Sequence, residues 1–265
     1  MSPGDAAPAP ARPPAAAPLL DAVAWAGEVA LLLGRTAAAL PTLDRRELRR
    51  SLAHFGYEAL PLALGAAVLV GATVVLQAGV YAERFGIRLY TGWAAGYALL
   101  WEFGPVLLGL LCAARLGARN AAELSLLATR GQLESLRAIS LDAHRLVIAP
   151  RVVAVALGTA AVAAVAYPVG IGVEIVAARA TLGLPARVFL ESFQQMIRWQ
   201  DAAGGAVKTL AFGVAIAAVS TVCGLRAGPG ARGIGRAAAR SVFLNCLVLF
   251  VLDLGLTLGL QAVWA

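Results

Sequence analysis

Residues 91–114 read TGWAAGYALLWEFGPVLLGLLCAA, an apolar stretch that carries a single charged side chain, Glu102. A helix needs about 20 mostly apolar residues to cross the ~30 Å hydrocarbon core of a bilayer, so this stretch is long enough to span it. Four further stretches have the same character, at Pro61–Tyr81, Val152–Ala178, Ala206–Leu225 and Ser241–Val263. The sequence therefore predicts an all-α integral membrane protein with five transmembrane helices.

The composition agrees with this class, because 60% of the 265 residues are hydrophobic and only 14% are charged. Soluble domains contain about 25% charged residues. Five spans and their connections occupy residues 51–265, so we predict one membrane domain there and no separate soluble catalytic domain.

The basic residues are distributed unevenly along the chain, which has a net charge of +7. With a cytoplasmic N-terminus and five spans, sixteen of the 22 Lys and Arg residues fall on the cytoplasmic side. The positive-inside rule then predicts that the N-terminus is inside and the C-terminus outside. This distribution favours a topology signal over nucleic-acid binding. We also expect Arg236 and Arg240 of the cytoplasmic rim to contact anionic lipid.

The segment before the first span divides into three parts. Residues 1–18 are rich in Pro and Ala, lack the features of a signal peptide and are predicted to be a disordered tail. From residue 19 the chain is apolar, but Asp21, Glu28 and Arg35 recur every seven residues and form one polar stripe. We predict an interfacial amphipathic helix, followed by a basic linker that ends at residue 50. The alternative, a sixth span, would place that linker outside, against the charge rule.

The sequence lacks several common motifs of enzymes and metal sites. The chain has no Gly-x-x-x-x-Gly-Lys-[Ser/Thr] phosphate loop and no Gly-x-Ser-x-Gly elbow, and its three Cys and two His residues show no metal-ligand spacing. We expect no catalytic residue, no metal and no cofactor in this chain. A glycine-rich run at residues 228–235 contains Arg232 and fits either a phosphate cradle or, more simply, a turn.

Three charged residues lie deep in the predicted spans. Glu102 and Asp253 are each thirteen residues from the basic residue at the cytoplasmic end of their span, which puts both about 20 Å above that end. Lys208 is eighteen residues from its own cytoplasmic end, about 27 Å up. An isolated charge at such a depth costs at least ~2.5–3.5 kcal/mol, so we expect pairing or a wet cavity. The residues would then either serve the protein's function or lock the helices together.

The cytoplasmic stretch 115–151 is too long for a simple turn. Apolar residues recur at near-helical spacing with charged residues between them, at Leu126, Leu127, Leu133, Leu136 and Ile139. The pattern predicts short amphipathic helices that dock on a partner or on the membrane surface. A solvated helical hairpin without a partner is the alternative.

Several short motifs stand in a fixed order along the five spans. They are Leu76-Gln77, Glu102-Phe103-Gly104-Pro105-Val106, Ala114-Arg115-Leu116-Gly117-Ala118, Ala122-Glu123-Leu124, Gln132-Leu133, Pro150-Arg151, Lys208-Thr209-Leu210-Ala211-Phe212-Gly213, Gly233-Ile234-Gly235-Arg236-Ala237 and Leu252-Asp253. Taken together, these motifs resemble the MlaE/YrbE permeases, the membrane subunits of lipid-transporting ABC systems, and the resemblance covers residues 43–260. Two positions depart from the family pattern, since Trp101 stands where the family usually has Arg and Gly131 where it often has Glu.

The resemblance implies a permease that pairs with a second copy of itself and is driven by two cytoplasmic ATPase subunits, which hold the ATP and Mg²⁺. It also implies a hexameric MCE-domain protein as conduit, a small STAS-type accessory protein and a phospholipid cargo. By resemblance, the substrate cavity and polar cluster comprise Leu76, Gln77, Trp101, Glu102, Lys208 and Asp253. The ATPase-coupling residues would be Arg115, Gly117, Glu123, Gln132, Leu133 and Leu136.

Two other classes of function were weighed against transport. An intramembrane lipid-modifying enzyme could use Glu102 and Asp253 as acid and base, but the sequence offers neither a nucleophile nor a metal cluster for it. A non-transporting membrane scaffold would need no pair of acids at one depth. The sequence therefore favours a lipid permease, and leaves the identity of the lipid and the direction of transport open.

Overall fold

The computed structural model describes residues 17–43 and 45–264, and every regular element in these ranges is helical. The ten α-helices are α1 (Ala17–Ala39), α2 (Arg45–Arg84), α3 (Thr91–Tyr97), α4 (Gly104–Cys112), α5 (Ala118–Thr129), α6 (Gln132–Ala138), α7 (Ala149–Leu182), α8 (Ala186–Met196), α9 (Trp199–Leu225) and α10 (Gly230–Trp264). Three π-helical segments, Ala98–Phe103, Ala113–Gly117 and His144–Ile148, connect some of these helices. Residues 1–16 of the predicted N-terminal tail lie outside the described residues.

Each of the five predicted spans lies within a long helix of the structure. The second span is part of one helical stretch, Arg88–Thr129, in which α3, α4 and α5 follow one another through two π-helical segments. Among the described residues, six helical stretches are long and apolar enough to cross a membrane, and the one beyond the five predicted spans is Val23–Thr42, in and just after α1. The prediction of an all-α membrane protein is confirmed.

Small residues bring the central helices together. A Cβ atom added at Gly71 of α2 would lie 2.6 Å from the carbonyl oxygen of Gly170 in α7, so these two backbones touch. Such close approach is typical of helix pairs in membranes, where van der Waals packing drives association. Elsewhere in the bundle Phe55, Val155 and Phe212 are almost completely buried.

One end of the bundle carries most of the arginines, and we call it the basic end. There α5 packs against α9 and α10 and does not stand apart from the bundle. The buried Asn120 donates hydrogen bonds to Ser220 (2.8 Å) and Thr221 (3.0 Å), and Ser241 donates one to the carbonyl oxygen of Gly117 (3.3 Å). The first half of the segment 115–151 is therefore part of the core. Its surface part is α6 and the turns on either side.

The first helix, α1, runs across the basic end. Glu28 accepts a hydrogen bond from Arg226 at the end of α9 (2.5 Å), and Thr36 lies 3.4 Å from His144 just before α7. These two residues of α1 are about 12 Å apart along its axis. Both contacts are made at the same end of the bundle, so α1 spans the gap between two helix ends.

Candidate functional site

Close packing of α9 against the π-helical segment 98–103 creates the site. A Cβ atom at Gly204 would overlap the ring of Trp101, and one at Gly205 would overlap the carbonyl oxygen of Leu100. Only glycines allow the two backbones to come so near. Lys208 follows one turn later on the same face of α9, which directs it to the segment that holds Glu102.

Lys208 is the centre of an ion cluster. Its Nζ atom lies 2.8 Å from Oε2 of Glu102, 3.0 Å from Oδ1 of Asp253 and 3.1 Å from the carbonyl oxygen of Trp101. The contact with Glu102 is a hydrogen bond, whereas the one with Asp253 is an ion pair without hydrogen-bond alignment. The long side chain of Lys208 spans the difference in depth between its backbone and the two acids. Its ammonium therefore contacts both the carboxylate of Glu102, in the π-helical segment, and that of Asp253, in α10.

The three charges differ in exposure. The side chain of Lys208 is 0% exposed and that of Asp253 is 11% exposed, whereas that of Glu102 is 44% exposed. A carboxylate at membrane depth is costly unless it meets water or a polar partner. Lys208 partners one side of Glu102, and the exposed part of this carboxylate is open to water or to a polar group outside the chain.

Aromatic rings cover the cluster. The ring of Trp101 stacks on Tyr97 at 6.0 Å between centroids and contacts Trp264 at 5.9 Å. The ammonium of Lys208 lies 5.5 Å from the centroid of the same ring, within the range of a cation–π interaction. Trp101 thus contacts the lysine through both its ring and its backbone carbonyl.

An apolar cavity of about 730 Å³ lies between α2 and the helical stretch 91–114. Gln77 is part of its wall, together with Ala94, Ala98 and Phe103. None of the three charged residues lines it. Phe103 is next to Glu102 in sequence, so the cavity and the ion cluster lie on adjacent faces of the same π-helical segment.

Within one chain, the residues expected at the substrate site lie in two neighbouring places. Within one chain Gln77 lines the cavity, while Trp101, Glu102, Lys208 and Asp253 form the cluster beside it. Leu76, which was grouped with them, is absent from the cavity wall and 38% exposed.

Several predicted coupling residues turn inward at the basic end. Glu123 accepts hydrogen bonds from Arg119 (2.7 Å) and Arg151 (2.7 Å) and lies 3.1 Å from Nε2 of His54. Arg119 also pairs with Glu58 of α2. These contacts join α2, α5 and α7, so Glu123 is held in an internal network.

The other coupling residues are divided between core and surface. Gly117 is buried against α9 and α10, and Leu133 is 7% exposed, whereas Gln132 is on the surface. Leu136 is partly buried, and Arg115 lies 3.8 Å from Glu58. The largest exposed apolar side chains near α6 are instead Ile139, Leu141 and Leu146.

Polar residues that the sequence analysis did not single out are also buried in the bundle. Glu174 of α7 is 0% exposed, and neither of its carboxyl oxygens has a hydrogen-bond partner among the described residues. Tyr167 and Thr209 share a hydrogen bond of 2.5 Å beside the cavity-forming helices. Glu174 could have been found as the lone acid of its apolar span. The described residues contain no group of three or more Cys, His, Asp or Glu that could hold a metal ion.

Residues 48–258 match the family described as Permease MlaE. A probable ABC transporter permease protein of Rickettsia typhi is 28% identical over 211 residues, covering 80% of this chain and 82% of that protein. The intermembrane phospholipid transport system permease protein MlaE of Haemophilus influenzae is 30% identical over 203 residues, 76% of this chain and 78% of that protein. The chloroplastic protein trigalactosyldiacylglycerol 1 of Arabidopsis thaliana is 25% identical over 208 residues, 78% of this chain and 59% of that protein.

Proposed function

The chain belongs to the MlaE permease family, and from this membership we infer that it is the membrane subunit of an ABC-type lipid transporter. The observation that carries this inference is the family match itself, which runs through all five spans. The resemblance to this family that the sequence indicated is confirmed. The chain is a transporter subunit, and the rival function of an intramembrane lipid-modifying enzyme has no support.

We propose phospholipid as the cargo. The relative from Haemophilus influenzae is named for phospholipid transport between membranes. The apolar cavity of about 730 Å³ offers walls suited to acyl chains. The ion cluster on the adjacent face would lie near a head group, and would also hold α9 and α10 in register with the π-helical segment.

A second copy of the chain would complete the site. The 44% exposed carboxylate of Glu102 needs a wet or polar neighbour at its depth. On α10, Gly255 and Gly259 are exposed, and a Cβ atom at either would meet nothing within 4 Å. A Gly-x-x-x-Gly pair lets two helices approach closely, so this surface suits a helix of the other protomer.

We propose that two separate ATPase subunits, which bind ATP and Mg²⁺, dock at the basic end. The exposed apolar residues Ile139, Leu141 and Leu146 beside α6 form the candidate docking surface. An MCE-domain protein would receive or supply lipid at the opposite end, and a STAS-type protein would accompany the ATPase. Both follow from family resemblance.

The orientation of the chain in the inner membrane is proposed from the basic end and from the contacts of α1. We propose that the basic end faces the cytoplasm, in line with the positive-inside rule, and that the C-terminus is outside. Because α1 contacts the ends of both α7 and α9, it would lie along the cytoplasmic interface and would not cross the bilayer.

Mass spectrometry of lipids that copurify with the complex tests the cargo. Wild type should retain phospholipid, and Ala94→Trp, which fills the apolar cavity, should lower the amount severalfold. Val176→Trp is the matched control, because Val176 is 68% exposed on α7 and outside the cavity wall. Equal phospholipid in all three samples would contradict the cavity as the cargo site.

A further inference from the structure

A second cavity, of about 530 Å³, lies at the basic end between α1, the end of α9 and the first turns of α10. We propose that this cavity binds the head group of an anionic phospholipid. Its volume is within the ~300–1,000 Å³ of small-molecule sites. The inference rests on the membrane location of the chain and is independent of its transport activity.

The walls of this rim cavity are positively charged. Three guanidinium groups, those of Arg226, Arg236 and Arg240, line it, and no acidic residue does. Arg226 is already neutralised by Glu28 of α1 at 2.5 Å. Arg236 donates only to the backbone oxygen of Arg232 (3.3 Å), and Arg240 has no hydrogen bond or ion pair with any described residue. Two arginines therefore have donors to spare.

Arginine side chains of this kind suit a phosphate group. The planar guanidinium presents a fork of N–H donors that can bind two phosphate oxygens at once, and such charge-assisted bonds are stronger than neutral ones. Arg236 and Arg240 are four residues apart on α10, so their side chains lie on one face, one turn from each other. A single phosphate between them could contact both.

The turn before α10 shapes the cavity. A Cβ atom at Gly233 would overlap the backbone of Gly228, so the turn folds tightly onto the first turns of the helix. Gly230 has a φ of +77°, in the left-handed region that glycine adopts readily. The glycine-rich run is thus a turn, as the simpler sequence interpretation held, and this turn forms part of an arginine-lined cavity.

The surroundings favour a lipid over a soluble anion. Trp25 of α1 forms part of the wall, and tryptophan is enriched at membrane interfaces. Beyond Arg236 and Arg240, the same face of α10 continues with Phe243 and Leu247, which are 63% and 50% exposed. A charged cavity joined to an apolar helix face matches a head group joined to acyl chains. The cytoplasmic leaflet supplies anionic lipids at this level.

The rim cavity is separate from the proposed cargo cavity. The cargo cavity is formed by α2, the stretch 91–114 and the connection between them, which contributes Phe85 and Tyr90, whereas the rim cavity is formed by α1, α9 and α10. A lipid held in the rim cavity would contact Trp25 of α1 and Arg240 of α10 together. It would therefore fasten the first helix to the bundle.

Native mass spectrometry of the full chain in detergent tests this proposal, with phosphatidylglycerol and phosphatidylcholine added separately at equal concentration. Wild type should bind one phosphatidylglycerol at least about tenfold more tightly than phosphatidylcholine, because both head groups carry a phosphate but the arginines repel the quaternary ammonium of phosphatidylcholine. The double variant Arg236→Gln/Arg240→Gln should lose this preference, and Arg240→Gln alone should lose part of it. Both arginines are on the surface, so folding should be retained.

The control is Arg49→Gln/Arg50→Gln, which removes two exposed arginines of α2 from the same end but outside the cavity. It should bind phosphatidylglycerol as wild type does. Unchanged binding by the Arg236/Arg240 variant, or an equal loss in the control, would overturn the proposal. So would a thermal stabilisation by millimolar inorganic phosphate that requires both arginines and leaves phosphatidylglycerol without further effect, because the ligand would then be a soluble anion.

Discussion

Nζ of Lys208 lies 2.8 Å from Oε2 of Glu102, and this contact joins α9 to the π-helical segment inside the membrane domain. The same ammonium lies 3.0 Å from Asp253 of α10. One completely buried cation thus holds three elements of the bundle. Its removal would leave two acids without a partner.

The first prediction concerns Lys208→Met. Leaving a buried charge unpaired typically costs about 3–5 kcal/mol, so this variant should assemble poorly and transport little lipid. Adding Asp253→Asn removes the more buried of the two acids and should restore much of the assembly. Yield of folded protein, thermal stability in detergent and lipid transfer would be measured for both singles and the double. Effects that simply add would show that the two residues are not coupled.

The internal network at the basic end gives a second prediction. Glu123→Gln should lower thermal stability by an amount equivalent to about 1–2 kcal/mol, because the amide cannot match a carboxylate that accepts bonds from Arg119 and Arg151. Glu123→Arg should lower the stability of the chain more than Glu123→Gln does, because it places a third positive charge beside Arg119 and Arg151. This variant therefore does not isolate an effect on ATPase docking. Glu134→Gln on α6 is the control, since Glu134 is on the surface. Equal stability of the two Gln variants would argue against the network.

A third prediction tests the docking surface next to α6. Ile139 is 66% exposed, so Ile139→Arg should leave the fold intact while it weakens ATPase binding. A charge placed in a packed interface without a partner costs several kcal/mol, which corresponds to a loss of more than tenfold in affinity. Ala231→Arg, an exposed site in the first turn of α10, is the control. Undiminished ATPase copurification with Ile139→Arg would place the contact elsewhere.

Dimer formation provides the fourth prediction. Gly255→Leu and Gly259→Leu should lower the dimer fraction in detergent or nanodiscs, because the larger side chains keep two helices apart. Gly172→Leu is the control: it makes the same substitution on α7, where a Cβ atom also meets nothing within 4 Å. Crosslinking and mass photometry would measure the dimer fraction. A dimer fraction that falls equally in all three variants would reject α10 as the interface.

Much of the architecture could be predicted from the sequence, because long apolar stretches have few ways to satisfy their backbone in a bilayer. The levels of Glu102 and Asp253 could also be predicted from helical rise. The meeting of Lys208 with both acids could not, because it depends on Gly204 and Gly205 letting α9 approach the π-helical segment.

Other features could not be predicted from the sequence, because they depend on the direction in which each side chain leaves its helix. Glu123 belongs to an amphipathic pattern that suits a docking helix, but α5 continues the second span, and so Glu123 turns toward α2 and α7. The π-helical segment places Phe103 on the cavity and Glu102 on the ion cluster, a division that helical spacing alone does not predict. Glu174 was visible as a single acid in an apolar span, but its lack of a partner depends on packing.

The most direct test of the central claim is ATP-dependent transfer of fluorescent phospholipid from proteoliposomes that contain the permease with the ATPase and the MCE-domain protein proposed as its partners. The account predicts transfer that requires ATP hydrolysis, stops when the ATPase subunit cannot hydrolyse ATP, and falls strongly in Lys208→Met at equal amounts of assembled complex. The transferred lipid should be chemically unchanged. Transfer at the same rate without ATP, or covalent modification of the lipid, would contradict it.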